Sequence, residues 1–265
     1  MNDNILRNTA GDVWSLSPYN DLPDNFDADI SYLIWILDHE IIEPKVRLGV
    51  LNRDESLKYF IPLGDIVANS VSYSENYANG QRKSLSFTLV NVAETAPDGS
   101  QIYKYMPSVH GLWYNTKIKL ELGFEYLGQE YYFDRGIYVI TGFTYTHSNK
   151  AREIAYTLAD KFVMFDGAQG TIDMGYEIPV DTPVEEVVTS LLNTSNYDGY
   201  INDPKPCIFD SKYTGFKTPY TIRIDSGQTI ANIFEELGTQ MSAEYYYNNQ
   251  GYLVFYPIDQ SMNDV

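Results

Sequence analysis

Lys117-Ile-Lys-Leu-Glu-Leu-Gly-Phe124, Gln129-Glu-Tyr-Tyr-Phe133 and Gly136-Ile-Tyr-Val-Ile-Thr-Gly-Phe-Thr-Tyr-Thr146 decide the fold. In the first stretch Ile118, Leu120 and Leu122 alternate with Lys117, Lys119 and Glu121. A period of two turns one face of a strand toward a core and the other toward water. Upstream, residues 45–51 and 57–63 have the same character and are separated by the polar Asn52 to Ser56, which predicts a β-hairpin. A second strand pair is expected at 67–76 and 84–92, turning over 77–80; Leu85, Phe87 and Leu89 alternate there with Ser86, Thr88 and Val90. Between the pairs and the deciding stretch, 91–111 contains Pro97, Asp98, Gly99 and Pro107 and reads as a long excursion that could cover an edge or touch a neighbour. Downstream, a strand at 153–160 is followed by the turn signal Asp166-Gly167 and Gly170, which places a domain boundary near Phe165.

Beyond that boundary the pattern changes. Asp181 or Thr182 as cap, Pro183 in the first turn, Glu185 and Glu186 near the positive helix end, and apolar Val184, Val187, Val188, Leu191 and Leu192 predict a short amphipathic helix. Residues 193–219 are rich in Asn, Asp, Gly, Lys and Pro and read as a surface connector with Cys207 and Ile208 dipping inward. The last stretch reads as a strand at 220–224, a helix capped by Thr229 and ended by Gly238, and a hairpin of 243–247 and 252–257 around Asn248 to Gly251. Such a small unit exposes open strand edges, so partner contacts or a continuation are expected.

With 265 residues, 44% hydrophobic and 20% charged, the chain is ordinary globular material able to bury a full core. Its 24 Tyr, together with Phe, Val, Ile and Thr, fit sheet. The single cysteine, Cys207, excludes an internal disulfide framework and a multi-cysteine zinc site. The longest apolar run, 32–37, is far short of the roughly 20 residues of a membrane helix, and no basic region precedes an apolar run at the start, so no export signal or stable membrane association is expected.

Lys and Arg total 18 against 36 Asp and Glu, a net charge of −18 that opposes broad contact with phosphate backbones. No basic residue occurs in 8–44, in 162–204 or after Arg223, and these runs hold 22 of the 36 carboxylates. Nine of the basic residues fall between Lys45 and Lys119, so an acidic face and a mixed face could meet in an assembly.

Enzymatic patterns are thin. His39, His110 and His147 lack a Gly-x-Ser-x-Gly elbow, and consecutive Asp38, His39 and Glu40 alternate faces on a strand, which is poor ligand geometry. Glu121 with Glu125, or Glu130 with Asp134, are candidate carboxylate pairs for glycoside hydrolysis, but so acidic a chain always offers such pairs. Gly167-Ala-Gln-Gly170 lacks the lysine and further glycine of a phosphate cradle. No catalytic, cofactor-binding or metal residue is therefore assigned. Residues 220–237 with 253–257 resemble the opening and close of a LysM peptidoglycan-binding module, although the interior reads as a Tyr-rich hairpin where that module carries a second helix.

Three stretches together resemble the baseplate or tail-tip hub proteins of tailed bacteriophages, a family shared with other contractile injection systems. They are Ile66-Val-Ala-Asn-Ser-Val-Ser-Tyr-Ser-Glu through Arg82-Lys-Ser-Leu-Ser-Phe-Thr-Leu; Phe133-Asp-Arg-Gly-Ile-Tyr-Val-Ile-Thr-Gly through Ala155-Tyr-Thr-Leu-Ala-Asp-Lys; and 222–257, ending in a Gly-x-Leu-x-Phe strand. The resemblance covers roughly half the chain. It implies a tail-tube-like β-barrel, usually doubled within the chain, and so a mainly β protein with minor α: the barrel is 45–165, a helix-containing connector 166–219, and a smaller strand-helix-hairpin unit 220–265 could open a second barrel; the acidic N-terminal arm (1–44) and the incompleteness of that second barrel depart from the family. It also implies a homotrimeric, non-enzymatic virion hub without cofactor or metal, made in the host cytoplasm. Such a hub joins the tail tube or distal tail protein to a central spike or tip, contacts other baseplate proteins, and lets DNA pass without binding it specifically. The alternative expectation is a carbohydrate-binding or cell-wall-hydrolysing module. The acidic excess agrees with a DNA channel, because carboxylates on its wall repel phosphate.

Overall fold

The computed structural model describes residues 5–7, 13–15, 44–76, 80–91, 93–95, 99, 101–105, 112–126, 129–147, 152–172, 175–192 and 203–258. Most of the 1–44 arm, with His39, and the stretch holding His110 lie outside them. The fold is mainly β. Its strands are β1 (Ile5–Arg7), β2 (Val13–Ser15), β3 (Pro44–Leu51), β4 (Leu57–Phe60), β5 (Ser72–Glu75), β6 (Lys83–Val90), β7 (Ala93–Thr95), β8 (Gln101–Tyr103), β9 (Lys117–Tyr126), β10 (Gln129–His147) and β11 (Arg152–Asp160). Then follow β12 (Tyr176–Ile178), helix α1 (Val184–Leu192), β13 (Ile208–Phe209), β14 (Ile222–Ile224), helix α2 (Ile230–Met241), β15 (Ala243–Tyr247) and β16 (Leu253–Pro257).

Seven strands form one antiparallel sheet in the order β4-β3-β9-β10-β11-β6-β5. The expected strands 129–133 and 136–146 are one continuous strand. β10 absorbs the break through register irregularities at Asp134/Gly136 and Ile140/Gly142, and the first needs Gly136 at φ 125°. The expected strand over 67–76 is shorter, β5 alone. Val67 to Ser70 instead make a turn, with the Ser70 N–H on the Val67 carbonyl and Asn69 at φ 60°.

The sheet curls on itself, so its ends share one apolar cluster. Leu48 and Val50 of β3 pack with Leu85, Phe87 and Leu89 of β6, Ile118 and Leu120 of β9, Tyr138 and Ile140 of β10, and Ile154, Tyr156 and Leu158 of β11. Among the described residues β4 and β5 do not pair with each other, so the ladder stays open and the sheet is not closed into a barrel. The 91–111 excursion has a structural task after all. Its β7–β8 hairpin leads to Tyr105, fully buried in this cluster, whose hydroxyl donates to Asp65 Oδ2 at 2.5 Å while its N–H reaches Asn91 Oδ1 at 3.0 Å.

The second cluster gathers Phe162, Met164 and Phe165 with both helices and the C-terminal hairpin. β15 and β16 pair around the Asn248–Gly251 turn, as expected for a hairpin and not for a LysM interior. In the connector Cys207 packs against this cluster as expected, but Ile208 does not. Ile208 is exposed while Phe209 and Tyr213 face the core, because β13 adds in parallel to β16 and the next turn carries Tyr213 under Ser242.

Gly238 is a further correction. Helix α2 does not end there but runs to Met241, and Ser242 takes the left-handed cap position at φ 53°. Gly238 sits where the helix touches the Tyr245 ring, with space so tight that a Cβ would lie 2.7 Å from Tyr245 Cδ1. That ring is itself stacked on Phe255 and packed on Phe162, so it has nowhere to go. Ala gains up to about 1 kcal/mol over Gly in a helix interior. Gly238→Ala is nonetheless expected to destabilise the fold by about 1–3 kcal/mol through overpacking, seen as a lower melting temperature. A higher melting temperature would show that propensity outweighs the contact.

Candidate functional site

β10 is the wall between the two clusters. Tyr138 and Ile140 point into the first, and Val139, one residue out of phase, belongs to the second. Ile137 shares that outer face and lies against the hairpin turn, where Gly251 at φ 78° has no room for a Cβ, which would fall 2.7 Å from Ile137 Cδ1.

A buried ionic cluster sits at this seam. Lys161, with no exposed surface, lies 2.5 Å from Asp203 Oδ1, 2.7 Å from Glu55 Oε1 and 2.9 Å from the Gly251 carbonyl. Lys117 of β9 reaches the same Glu55 oxygen at 2.6 Å, and Lys205 lies 3.6 Å from Oε2. Asp203 accepts the Tyr247 hydroxyl on Oδ2 at 2.6 Å and the Lys205 N–H on Oδ1 at 3.0 Å. Five chain segments thus meet on three ammonium and two carboxylate groups. Burial alone would push Glu55 up, yet Lys161 and Lys117 together hold its carboxyl below its usual range. Burial, and then the Lys161 charge, push Lys117 down. Burial and the Asp203 carboxylate push the Tyr247 phenol well up, which keeps its proton in place.

A second seam contact closes beside it. Asp160 accepts the N–H groups of Arg82 (2.7 Å), Lys83 (2.9 Å) and Phe162 (3.0 Å), Arg82 reaches Glu244 at 2.7 Å, and the Gly80 N–H bonds the Tyr245 carbonyl on the β15 edge. Burial pushes the Asp160 carboxyl up to about 6 against the pull of those N–H groups. The folded chain then holds a proton that the unfolded chain, with an Asp near 3.8, has released. This group's contribution to stability therefore falls as pH rises from about 4 to 6, by up to about 3 kcal/mol, and is level above that. A carboxyl-carbon NMR titration of Asp160 should show its midpoint near 6; a midpoint below 4 would mean that the N–H groups dominate.

At the far end of β10 the inner face opens to solvent. Trp113, Tyr114 and Tyr145 are 49%, 48% and 41% exposed and surround Phe143, with ring centroids 5.0, 5.1 and 5.5 Å from it. Leu57 on edge strand β4 is exposed as well. An aromatic rim and two sheet edges that no strand covers among the described residues are the features of an interaction surface.

The candidate carboxylates of a hydrolase are placed otherwise. The β9–β10 register sets Glu121 across from Asp134 and Glu125 across from Glu130, not in the pairs anticipated. Arg47 and Lys119 hold Glu121, Lys119 also holds Asp134, and Lys45 lies near both Glu125 and Glu130. The Glu121 carboxyl is lowered despite burial, the reverse of what a general acid needs. His147 is exposed, edge-on to Tyr103 at 6.5 Å. Cys207 is half-buried and its thiol is pushed well up by burial and by Asp203. Gly167–Gly170 forms one helical turn whose first N–H is already taken by Asp166 Oδ1, where a phosphate would have to sit. Among the described residues no group of three or more His, Cys, Asp and Glu could hold a metal ion, and no helix is long and apolar enough to cross a membrane.

No single-sequence cue marked Glu55, Lys117, Lys161, Asp203 and Tyr247 as a set, because they are spread from the first hairpin to the last. Lys161 alone gave a signal, as a charge opening the otherwise apolar Phe162 to Phe165.

No family model and no curated protein matches the chain. Its fold is similar to the tail protein from Neisseria meningitidis MC58, at 12% identity and TM-score 0.47 over 80% of this chain and 51% of that one. It is similar to the 43 kDa tail protein of prophage MuSo2 from Shewanella oneidensis, at 10% identity and TM-score 0.44 over 80% and 53%. It is also similar to a Francisella PdpA-VgrG complex, at 12% identity and TM-score 0.48 over 85% and 30%. The chain spans about half the length of the first two and about a third of the last.

Proposed function

We propose that this chain is a virion structural protein, a baseplate or tail-tip hub that forms a trimeric ring between the tail tube and a central spike or tip. The observation that carries this reading is the seven-stranded sheet whose outer strands β4 and β5 take no further partner strand among the described residues. A sheet of that form completes its ladder by pairing with neighbouring copies. The resemblance of the sequence to hub proteins supports it, since its quoted stretches include β5 and β6, then β10 and β11, then the strand, helix and hairpin of the second unit. In this reading 45–165 is the tail-tube-like barrel, closed within the ring, 166–219 the connector, 220–265 the opening of a second barrel, and 1–44 an arm toward a neighbour. The aromatic rim at Trp113, Tyr114 and Tyr145 faces the next ring of the tail or the spike. The protein works by shape and interface burial in the virion, after assembly in the host cytoplasm.

Charge placement supports a channel role. On the polar face of β9 and β10 Lys45, Arg47 and Lys119 offset three of the four carboxylate charges, while among the described residues Glu185 and Glu186 in the first turn of α1 have no ion pair. The same aromatic rim favours a second reading, a carbohydrate-binding module, since exposed rings stack on sugars. Light scattering over a range of concentration and salt separates the two. A stable assembly near three times 30.3 kDa is expected of the hub, and a monomer at every concentration would overturn the ring and leave the glycan reading.

A further inference from the structure

The buried cluster holds more than an ion pair. Lys161 Nζ is in contact with Asp203 Oδ1 at 2.5 Å, both side chains have no exposed surface, and Glu55 Oε1 lies 2.7 Å from the same nitrogen. The other Glu55 oxygen, Oε2, is buried and makes no hydrogen bond among the described residues. The Tyr247 hydroxyl is fixed on the second Asp203 oxygen, and the Tyr247 ring lies 4.9 Å from the ammonium. An amine and a carboxyl are thus held together out of reach of bulk solvent, beside a second carboxylate whose Oε2 faces the Lys205 ammonium at 3.6 Å and a hydroxyl donor on the acyl oxygen. We infer that Lys161 and Asp203 condense into an intramolecular isopeptide bond, with Glu55 as the proton carrier.

The chemistry balances without any co-reactant. The Lys161 ammonium passes a proton across the 2.5 Å contact to Asp203 Oδ1, and the freed nitrogen attacks Cγ of the neutral carboxyl, with Glu55 relaying the second proton from nitrogen to Oδ1. In the tetrahedral intermediate the Tyr247 hydroxyl stabilises charge on Oδ2, the role of a preorganised oxyanion donor. Oδ1 leaves as water, carrying two of the three ammonium protons, one of them delivered by Glu55, while the third stays on the amide nitrogen. One positive and one negative charge disappear together, so the cluster keeps its net charge and loses a desolvated ion pair. The bond would tie the end of the first sheet unit to the connector, closing the loop between residues 161 and 203. It does not depend on the proposed assembly role.

Mass spectrometry of the purified full-length chain, denatured before measurement, tests this. The expected mass is lower than the sequence mass by one water, with a branched proteolytic peptide joining Lys161 to Asp203. A succinimide also loses one water, but it needs the N–H of the next residue, and Asp203 is followed by Pro204. Glu55→Gln is expected to leave most of the chain at its full mass, and Lys161→Arg all of it. Asp203→Asn should instead show loss of one ammonia. Wild-type chain at the full sequence mass overturns the inference, as does a water loss mapped to any other residue. The wild-type measurement decides even if the variants fail to fold.

Discussion

Replacing Lys161 by Met is expected to lower the unfolding free energy by about 3–5 kcal/mol, the loss typical of removing one partner from a buried ion pair. Whether Lys161 stands beside Asp203 as an ion or is joined to it, the variant strands two acids. Asp203 keeps the Tyr247 hydroxyl and the Lys205 N–H, but Glu55 loses one of its two buried cations and keeps only Lys117 at 2.6 Å, and neither acid can reach solvent. Urea titration followed by tryptophan fluorescence measures the loss. Because domains of this kind are stable by only about 5–15 kcal/mol, the midpoint should fall by a large fraction. Adding Asp203→Leu should recover part of the loss by removing the stranded charge. A Lys161→Met variant as stable as the wild type would mean that water enters the seam.

The second large effect is expected at Phe234. Its ring is completely buried at the centre of the C-terminal cluster, with centroids 5.2 Å from Phe165, 5.9 Å from Phe162 and 6.4 Å from Phe255. These neighbours come from the end of the first sheet unit and from the last hairpin, so a cavity there loosens both at once. Phe234→Ala should cost about 3–5 kcal/mol, combining lost transfer energy with a void that rigid rings cannot collapse to fill. The control is Val180→Ala, about half exposed, which should stay within about 0.5 kcal/mol. Thermal denaturation of the two variants side by side gives the contrast, and a Phe234→Ala loss no larger than the control would show that the cluster repacks.

Alternation made most of the sheet legible. β3, β6, β9 and β11 fall within two residues of their expected positions; β6 and β11 alternate buried with more exposed residues, whereas the second half of β3 is buried on both faces. The continuity of β10 was not legible, since Asp134, Arg135 and Gly136 have the composition of a turn. Only neighbours on both sides keep the strand extended through the irregularity. Gly238 was misread because a glycine near a helix end signals a cap equally well as a close approach, and only the Tyr245 ring decides between them. Helix α1 was found from its apolar spacing, which is local. The buried ionic cluster could not be found that way. Burial of a Lys is visible only once the segments that bury it are in place, and Glu55 in particular sits in a loop whose composition reads as solvated.

A strand that walls two cores has no private side. On β10 Tyr138 and Ile140 belong to one cluster, Val139 to the other, and Ile137 packs against the hairpin turn at Gly251, so neither can open while the strand's ladder to β9 and β11 holds. The sheet unit and the C-terminal unit are therefore coupled in cooperativity, giving up their structure in one transition instead of two. Amides at the centre of β10 exchange only through that shared opening, so they carry the stability of the whole molecule and not that of either half.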